Sequence, residues 1–278
     1  MSEKDVLKID VEKVIDNKNP KLRKKLPKFL INYLKKIVHQ EELNEFFKES
    51  HGKTGLDFVD IILSYYNIGI DAEGVENIPD KGRFVFAANH PIGGIESIAF
   101  IKVVSEKYKE LKFPVNDILM ELKPMASIFI PINKHGGQSK FAIKELEDYF
   151  AGNGQILYFP AGMCSRRIKG RIQDPEWKKT FITKAIQHKR DIIPVYIAGR
   201  NSNFFYNLSN FRTFARIKTN LEMLYLVDET FRQFNSTIRL KFGKPISYTH
   251  FNDSQTHQQW AENLKEIVYQ LGGIQLKH

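Results

Sequence analysis

The sequence predicts the α/β class, as a single domain with a central mixed sheet flanked by helices and an N-terminal helical extension. Two observations carry that prediction. From Gly74 onward, short apolar runs of strand length alternate with stretches whose apolar residues recur at helical spacing. Several of these runs end in polar or Gly-rich turns, where α/β folds place their sites. Before Gly74 the texture is helical and basic, which sets the division at 1–73 for the extension and 74–278 for the main domain. A chain of 278 residues with 42% apolar side chains supports one substantial core rather than two full domains.

In the extension, Asn17 to Gln40 holds eight Lys or Arg and no acid. Leu26, Leu30, Leu34, Ile37 and Val38 recur there at helical spacing, the pattern of a basic amphipathic helix. Its leucine face could enter a lipid interface with the lysines on headgroups, or it could pack on its own domain with the basic face in water. A second helix is predicted over residues 55–67. Its Leu56, Val59, Ile62, Leu63 and Tyr66 read as core, and Asp57 and Asp60 lie near its start, where the helix dipole favours acids.

In the main domain the strand candidates are Phe84 to Ala88, Ile128 to Ile132, Gln155 to Phe159, Ile192 to Ile197 and Ile238 to Phe242. Helical stretches run from Lys140 to Phe150 and from Trp177 to His188, and Trp260, Leu264, Val268 and Leu271 mark a closing amphipathic helix. Among Phe204, Phe205, Tyr206, Phe211 and Phe214, core packing is the expectation for most members, with a channel wall or a membrane-interface contact as the alternatives.

The formal charge of +10 and pI near 9.4 point to an anionic partner, a description that fits nucleic acid, anionic lipid, coenzyme A and acidic carrier proteins alike. A single cysteine, Cys164, excludes an intramolecular disulfide and a Cys-based zinc cluster. No metal ligand set and no bound cofactor are expected. The charged N-terminus lacks a signal-peptide apolar stretch, and no run approaches the roughly 18 to 20 apolar residues needed to span a bilayer. The expected location is cytoplasmic, peripheral on the inner membrane leaflet. No G-x-S-x-G elbow, Walker A loop or H-E-x-x-H motif is present, and no groove-binding or base-stacking motif supports a nucleic-acid partner.

The stretch most suggestive of chemistry is Asn89-His90-Pro91-Ile92-Gly93-Gly94-Ile95-Glu96, directly after the Phe84 run. A strand delivers a histidine into a loop, two glycines allow a tight turn, and a carboxylate follows at a helix start. An acid bonded to one imidazole nitrogen fixes the tautomer, so the other nitrogen can take a proton from a substrate hydroxyl. The bland alternative is a buried histidine satisfied by a nearby acid.

Together with its lead-in, Gly74 to Pro79, this stretch resembles the first motif of the glycerolipid acyltransferases typified by bacterial 1-acylglycerol-3-phosphate acyltransferase. It is most similar to a bacterial haemolysin-like branch whose segment reads Asn-His-Pro-x-Gly-Gly-x-Asp, with some relatives resembling O-acyltransferases of aminolipid synthesis. Phe129 to Lys134 resembles the second block, Phe159-Pro160-Ala161-Gly162 with Ser165 the third, and Ile193-Pro194-Val195 the fourth, all in the family's order over about residues 74 to 200. The resemblance implies acyl transfer from a thioester of coenzyme A or acyl carrier protein to the hydroxyl of a lipid acceptor. His90 would be the general base and Glu96 its orienting acid. Asn89, Gly93, Gly94, Lys134, Gly162, Ser165, Arg166, Arg167 and Arg200 are the candidate substrate contacts, with backbone N–H groups near Gly93 and Gly162 as oxyanion donors.

Two departures bear on this. Five residues rather than the wider family's usual four separate the histidine from the acid, which is Glu instead of Asp. In the third block Ala161 and Cys164 stand where the family has the Glu and Arg associated with acceptor binding, the arginine with a phosphate. Arg166 and Arg167 could supply an anion contact instead, or could form a solvated basic turn. The acceptor expected is therefore either a lysolipid or an amino acid bearing a hydroxylated acyl chain. The altered block also leaves room for a non-enzymatic, haemolysin-like membrane binder.

Overall fold

The computed structural model describes residues 7–18, 25–116, 119–132 and 140–276. Lys134 and residues 19–24 of the basic run lie outside the described residues. The helices are α1 (Val11–Lys18), α2 (Lys28–Ile37), α3 (Gln40–Glu49), α4 (Gly55–Tyr65), α5 (Ile95–Lys107), α6 (Lys140–Ala151), α7 (Thr180–Gln187), α8 (Asn203–Phe214), α9 (Leu226–Phe231) and α10 (His257–Leu271). The strands are β1 (Gly69–Glu73), β2 (Phe84–Ala88), β3 (Leu111–Val115), β4 (Phe129–Pro131), β5 (Gln155–Tyr158), β6 (Arg166–Ile168), β7 (Arg171–Gln173), β8 (Asp191–Ile197) and β9 (Thr237–Phe242).

Seven strands form one sheet in the order β1-β9-β8-β2-β5-β3-β4, and β6 and β7 form a separate hairpin. Only the β8–β9 pair in the large sheet is antiparallel, which makes it mixed, as the sequence predicts. β2 lies in the middle, parallel to β5 and β8 on either side. All five of its residues are buried, as a strand covered on both faces requires. Its side chains alternate between two cores. Phe84, Phe86 and Ala88 join one cluster with α3, α4 and α5, while Val85 and Ala87 join the other with α7 and α10. The sheet is thus the centre of three layers.

The extension enters this architecture directly. Phe46, Phe47, Phe58, Val59 and Ile62 of α3 and α4 belong to the first core cluster, and β1 adds the edge strand beside β9. In α2, Ile31 and Ile37 are buried and Leu30, Leu34 and Val38 half-buried, whereas Phe29 is 74% exposed. The predicted apolar stripe therefore packs mostly on the protein itself.

The predicted strands and helices of the main domain appear close to their expected bounds. β1, β3, α3 and the β6–β7 hairpin have no counterpart among the predicted elements. β3 contains Pro114, which opposes a strand assignment, yet the chain bonds through its neighbours, with the Phe113 N–H donating to Ile128 O at 2.8 Å. α10 begins with a capping box between Thr256 and Gln259. The functional consequence lies at one end of the sheet. β2, β5 and β8 deliver their carboxyl ends side by side, and the loops that follow them carry His90, Phe159 and Arg200.

Candidate active site

The loop after β2 is built around a carboxylate. Glu96, the second residue of α5, is fully buried. Its Oε1 accepts from the N–H groups of Ile92 (2.8 Å) and Gly93 (2.6 Å), and its Oε2 from Gly94 (2.8 Å). Three converging amides at a helix N-terminus form an anion nest, filled by the helix's own side chain. The glycines are required here for different reasons. Gly93 has φ +105°, a region side chains avoid, and a Cβ on Gly94 would meet Thr230 Oγ1 of α9 at 2.4 Å.

His90 stands against this carboxylate. Its Nδ1 lies 3.0 Å from Glu96 Oε1, an ion-pair distance off the line of a good hydrogen bond, and no other group caps that buried nitrogen. The imidazole stacks on the Phe159 ring, with centroids 4.0 Å apart and planes 20° from parallel. With Nδ1 turned inward, Nε2 is the ring nitrogen left for the cavity that His90 lines. Burial pushes the Glu96 carboxyl up, but the His90 contact and the amides of Gly93 and Gly94 outweigh it and hold the group below its ordinary value. A lowered acid beside an imidazole favours an imidazolium at the moment a proton is taken. The added residue and the longer Glu side chain thus bring the acid to the histidine despite the altered spacing.

A second buried acid holds the histidine's backbone. Asp174, fully buried in the turn after β7, accepts from the His90 N–H through both oxygens (3.2 Å each), from Ser165 Oγ (2.6 Å) and from Trp177 Nε1 (2.9 Å). Its own N–H donates to Tyr269 Oη of α10 at 2.7 Å. Ser165 closes the arrangement, its N–H donating to His90 O at 2.7 Å. Burial raises the Asp174 carboxyl despite these donors. Sequence reasoning does not find Asp174. The available signal is the turn Asp174-Pro175-Glu176-Trp177, in which an acid sits three residues before a tryptophan that needs a partner for its indole N–H.

The cavity beside His90 measures about 540 Å³. Its deep lining is apolar, from Phe46, Phe58 and Ile62 of the N-terminal helices and from Phe113, Phe129 and Phe159 at the sheet. Helices α3 and α4 therefore contribute walls as well as core. Such a slot fits a flexible hydrocarbon chain.

Of the predicted contacts, His90, Gly93, Gly94 and Gly162 line this cavity. The others are held elsewhere. Asn89 is a peg between strands, donating to Ile197 O (2.8 Å) and accepting from Ile197 N (2.7 Å). Ser165 faces Asp174. Arg166 is buried, pairs with Glu222 (3.2 Å) and donates to Cys164 O (2.8 Å), so its charge is spent inside the protein. Arg167 donates to Asn203 and Asn207 of α8, and Arg200 also donates to Asn203. The amides expected as oxyanion donors are engaged too, Gly93 with Glu96 and Gly162 with Phe159 O (2.9 Å). Cys164 is buried with its thiol pushed up to about 11 by burial, against the pull of Arg166, which fits an inert side chain. Among the described residues no group of three or more His, Cys, Asp or Glu could hold a metal ion.

The acyltransferase family profile matches residues 13–273, and the chain belongs to that family. It is 46% identical over 272 residues, 98% of this chain and 100% of the relative, to the lyso-glycine lipid O-acyltransferase of Bacteroides thetaiotaomicron. A lyso-glycine lipid O-acyltransferase of Phocaeicola vulgatus is 43% identical over 98% of both chains. The crystal structure of the 1-acyl-sn-glycerophosphate acyltransferase PlsC from Thermotoga maritima shares the fold, with TM-score 0.50 and 17% identity over 90% of this chain and 91% of that one. The chain is an O-acyltransferase, and the non-enzymatic alternative is not favoured.

The two buried acids have measurable consequences. Because the folded Glu96 lies below its ordinary 4.5, its ionised form stabilises the fold above that pH, and the contribution is lost as pH falls through the lowered value. The stability difference between wild type and Glu96→Gln, read by urea unfolding, should therefore be largest near about pH 7 and shrink at pH below 4.5. Asp174 is common to both proteins and cancels. Asp174→Ala should lower kcat by about 10²-fold, through displacement of His90, with a smaller change in KM, as steady-state kinetics would read.

Proposed function

We propose that this enzyme transfers a fatty acyl group from an acyl thioester to the hydroxyl of a lysolipid built on glycine, with His90 as general base. The observation that carries the mechanism is His90 Nδ1 at 3.0 Å from the buried, ionised Glu96, with the ring lining an apolar cavity. The acceptor class rests on two relatives above 40% identity whose names specify a lyso-glycine lipid.

In the proposed reaction His90 Nε2 takes the proton of the acceptor hydroxyl as its oxygen attacks the thioester carbonyl. Glu96 stabilises the imidazolium that forms. The tetrahedral intermediate collapses to the ester, the carbon–sulfur bond breaks, and the imidazolium returns its proton to the departing thiolate. No enzyme nucleophile takes part. The donor is acyl-CoA or acyl carrier protein, either of which is anionic and suited to a chain of +10.

We place the enzyme on a membrane surface. Among the described residues no helix is long and apolar enough to cross a bilayer. The supporting feature is an exposed aromatic face rather than the leucine stripe of α2. Phe204, Phe211 and Phe214 of α8 are exposed, the last to 87%, while Phe205 and Tyr206 turn inward. Tyr225 joins this face to α2, stacking edge-on with Phe204 (centroids 4.9 Å apart) and bonding Tyr33 through the two hydroxyls (2.8 Å). Phe29, one turn before Tyr33 in α2, is exposed, as are Arg216 and Lys218 just beyond the end of α8. Aromatics flanked by cations suit an anionic lipid interface.

The acceptor is read directly from lipid extracts of cells carrying wild type or His90→Ala at equal abundance. The diacylated glycine lipid should appear with the wild type, and the variant should accumulate its monoacyl precursor; identical profiles would remove His90 from the chemistry. Phe211→Ser combined with Phe214→Ser should cut co-sedimentation with anionic vesicles about tenfold while leaving turnover of detergent-dispersed substrate intact.

A further inference from the structure

We propose that Lys178 is the anchor for the acceptor's carboxylate, and so the residue that selects an acidic headgroup at the mouth of the cavity. The inference rests on the reading of the acceptor as a glycine lipid. A glycine acylated through its amine keeps a free carboxylate, and the site that holds it must supply a cation near the base.

The cavity offers one. Among its described lining residues there is no Asp, Glu or Arg, and Lys178 is the one lysine. Lys178 is exposed, and no carboxylate among the described residues lies within ion-pair distance of its ammonium. The cations that the sequence singles out are, among the described residues, committed elsewhere: Arg166 to Glu222, and Arg167 and Arg200 to the asparagines of α8.

The backbone beneath Lys178 is fixed, although its side chain is free. Its N–H donates to Pro160 O at 3.1 Å, one residue from the ring on which His90 stacks. The preceding Trp177 is fully buried; its N–H donates to Glu262 (2.7 Å), its indole to Asp174, and its carbonyl accepts from Gln258 (2.7 Å). The segment that positions the His90 backbone through Asp174 thus also sets the root of Lys178. One short turn thus roots the cation and braces the base on the same cavity, as an acceptor with its carboxylate and its reacting hydroxyl near one end demands. An ammonium on a flexible stem reaches a carboxylate as a point charge, without the bidentate geometry an arginine would impose.

The test compares wild type, Lys178→Gln and Lys178→Arg. Titration calorimetry with N-palmitoylglycine and its methyl ester should show the wild type preferring the free acid by about tenfold. The Gln variant should bind both alike, and the Arg variant should keep a preference. A wild type with no preference, or a Gln variant that retains it, overturns the proposal. In steady-state acylation of a hydroxyacyl-glycine, Lys178→Gln should raise the acceptor KM about tenfold and leave the donor KM unchanged. A rise in the donor KM alone would assign the lysine to the thioester's anionic carrier and also overturn it. If the wild type shows the carboxylate preference yet acylates no hydroxyacyl-glycine, the acceptor assignment fails and the anion site stands. If it acylates that substrate without any preference for the free acid, the acceptor assignment stands and the anion site fails.

Discussion

A carboxylate cut off from water must be surrounded by donors, and Glu96 meets that demand by folding its own loop around itself. Three consecutive amides, from Ile92 to Gly94, converge on the side chain two residues further on. Leaving such a charge unpaired in the interior costs several kcal/mol, so the loop has little freedom to adopt any other shape. This constraint determines the rest of the site. It uses the amides that would otherwise face substrate, demands glycine at position 93, and presents an acceptor oxygen to His90 on the one side still open. The contact to the imidazole completes an arrangement that the backbone has already fixed.

Asp174 does for the histidine's main chain what Glu96 does for its ring. Its partners come from the β2 loop, the loop after β5, its own turn and, through Tyr269, α10. Elements far apart in sequence are drawn to one buried oxygen pair. The two acids hold different parts of His90, ring and backbone, and differ in how they are satisfied. Both are fully buried, but Glu96 has the imidazole at ion-pair distance and is held low, whereas the donors around Asp174 do not offset its burial and it is raised. The pair immobilises a side chain that the proposed chemistry requires to exchange a proton without moving, which is where preorganisation lowers a barrier.

Much of this was legible in the sequence because it is local. The five-residue apolar run ending at Asn89-His90, the two glycines and the following acid lie within one strand–loop–helix unit, so a pattern of residue types is enough to place them together. The mixed sheet was equally legible from alternating periods. Long-range partners were not. Asn89 reads as a polar residue beside a catalytic one, yet its side chain bonds both backbone groups of Ile197, which is 108 positions away. Arg166 reads as a free cation because Glu222 stands 56 residues downstream. β1 and β3 are short and interrupted by Gly or Pro residues, and they become strands through their neighbours in the sheet rather than through their own propensity. The stripe of α2 is real, but amphipathicity cannot say whether lipid or protein covers it; here α2 turns Ile31 and Ile37 inward.

The fate of Arg166 bears on what the enzyme can accept. The third block lacks the acid and the arginine that its resemblance to phosphate-accepting enzymes would supply, and the nearest arginine is buried against Glu222, which Arg212 also pairs at 2.9 Å. Two guanidiniums around one internal carboxylate form a self-contained structural cluster. It anchors the segment carrying Met223 and Leu226, both of which line the cavity. For Arg166 itself to meet a phosphate it would have to leave that cluster, with Glu222 then buried with one cation fewer, a change that costs more than a surface contact returns. The cluster therefore stabilises the cavity wall and at the same time withholds a guanidinium from the site, leaving Lys178 as the one Lys or Arg among the described lining residues. A headgroup of lower charge, such as a single carboxylate, makes no such demand. The burial of Arg166 thus bears on both the integrity of the pocket and the chemistry of the acceptor proposed for it.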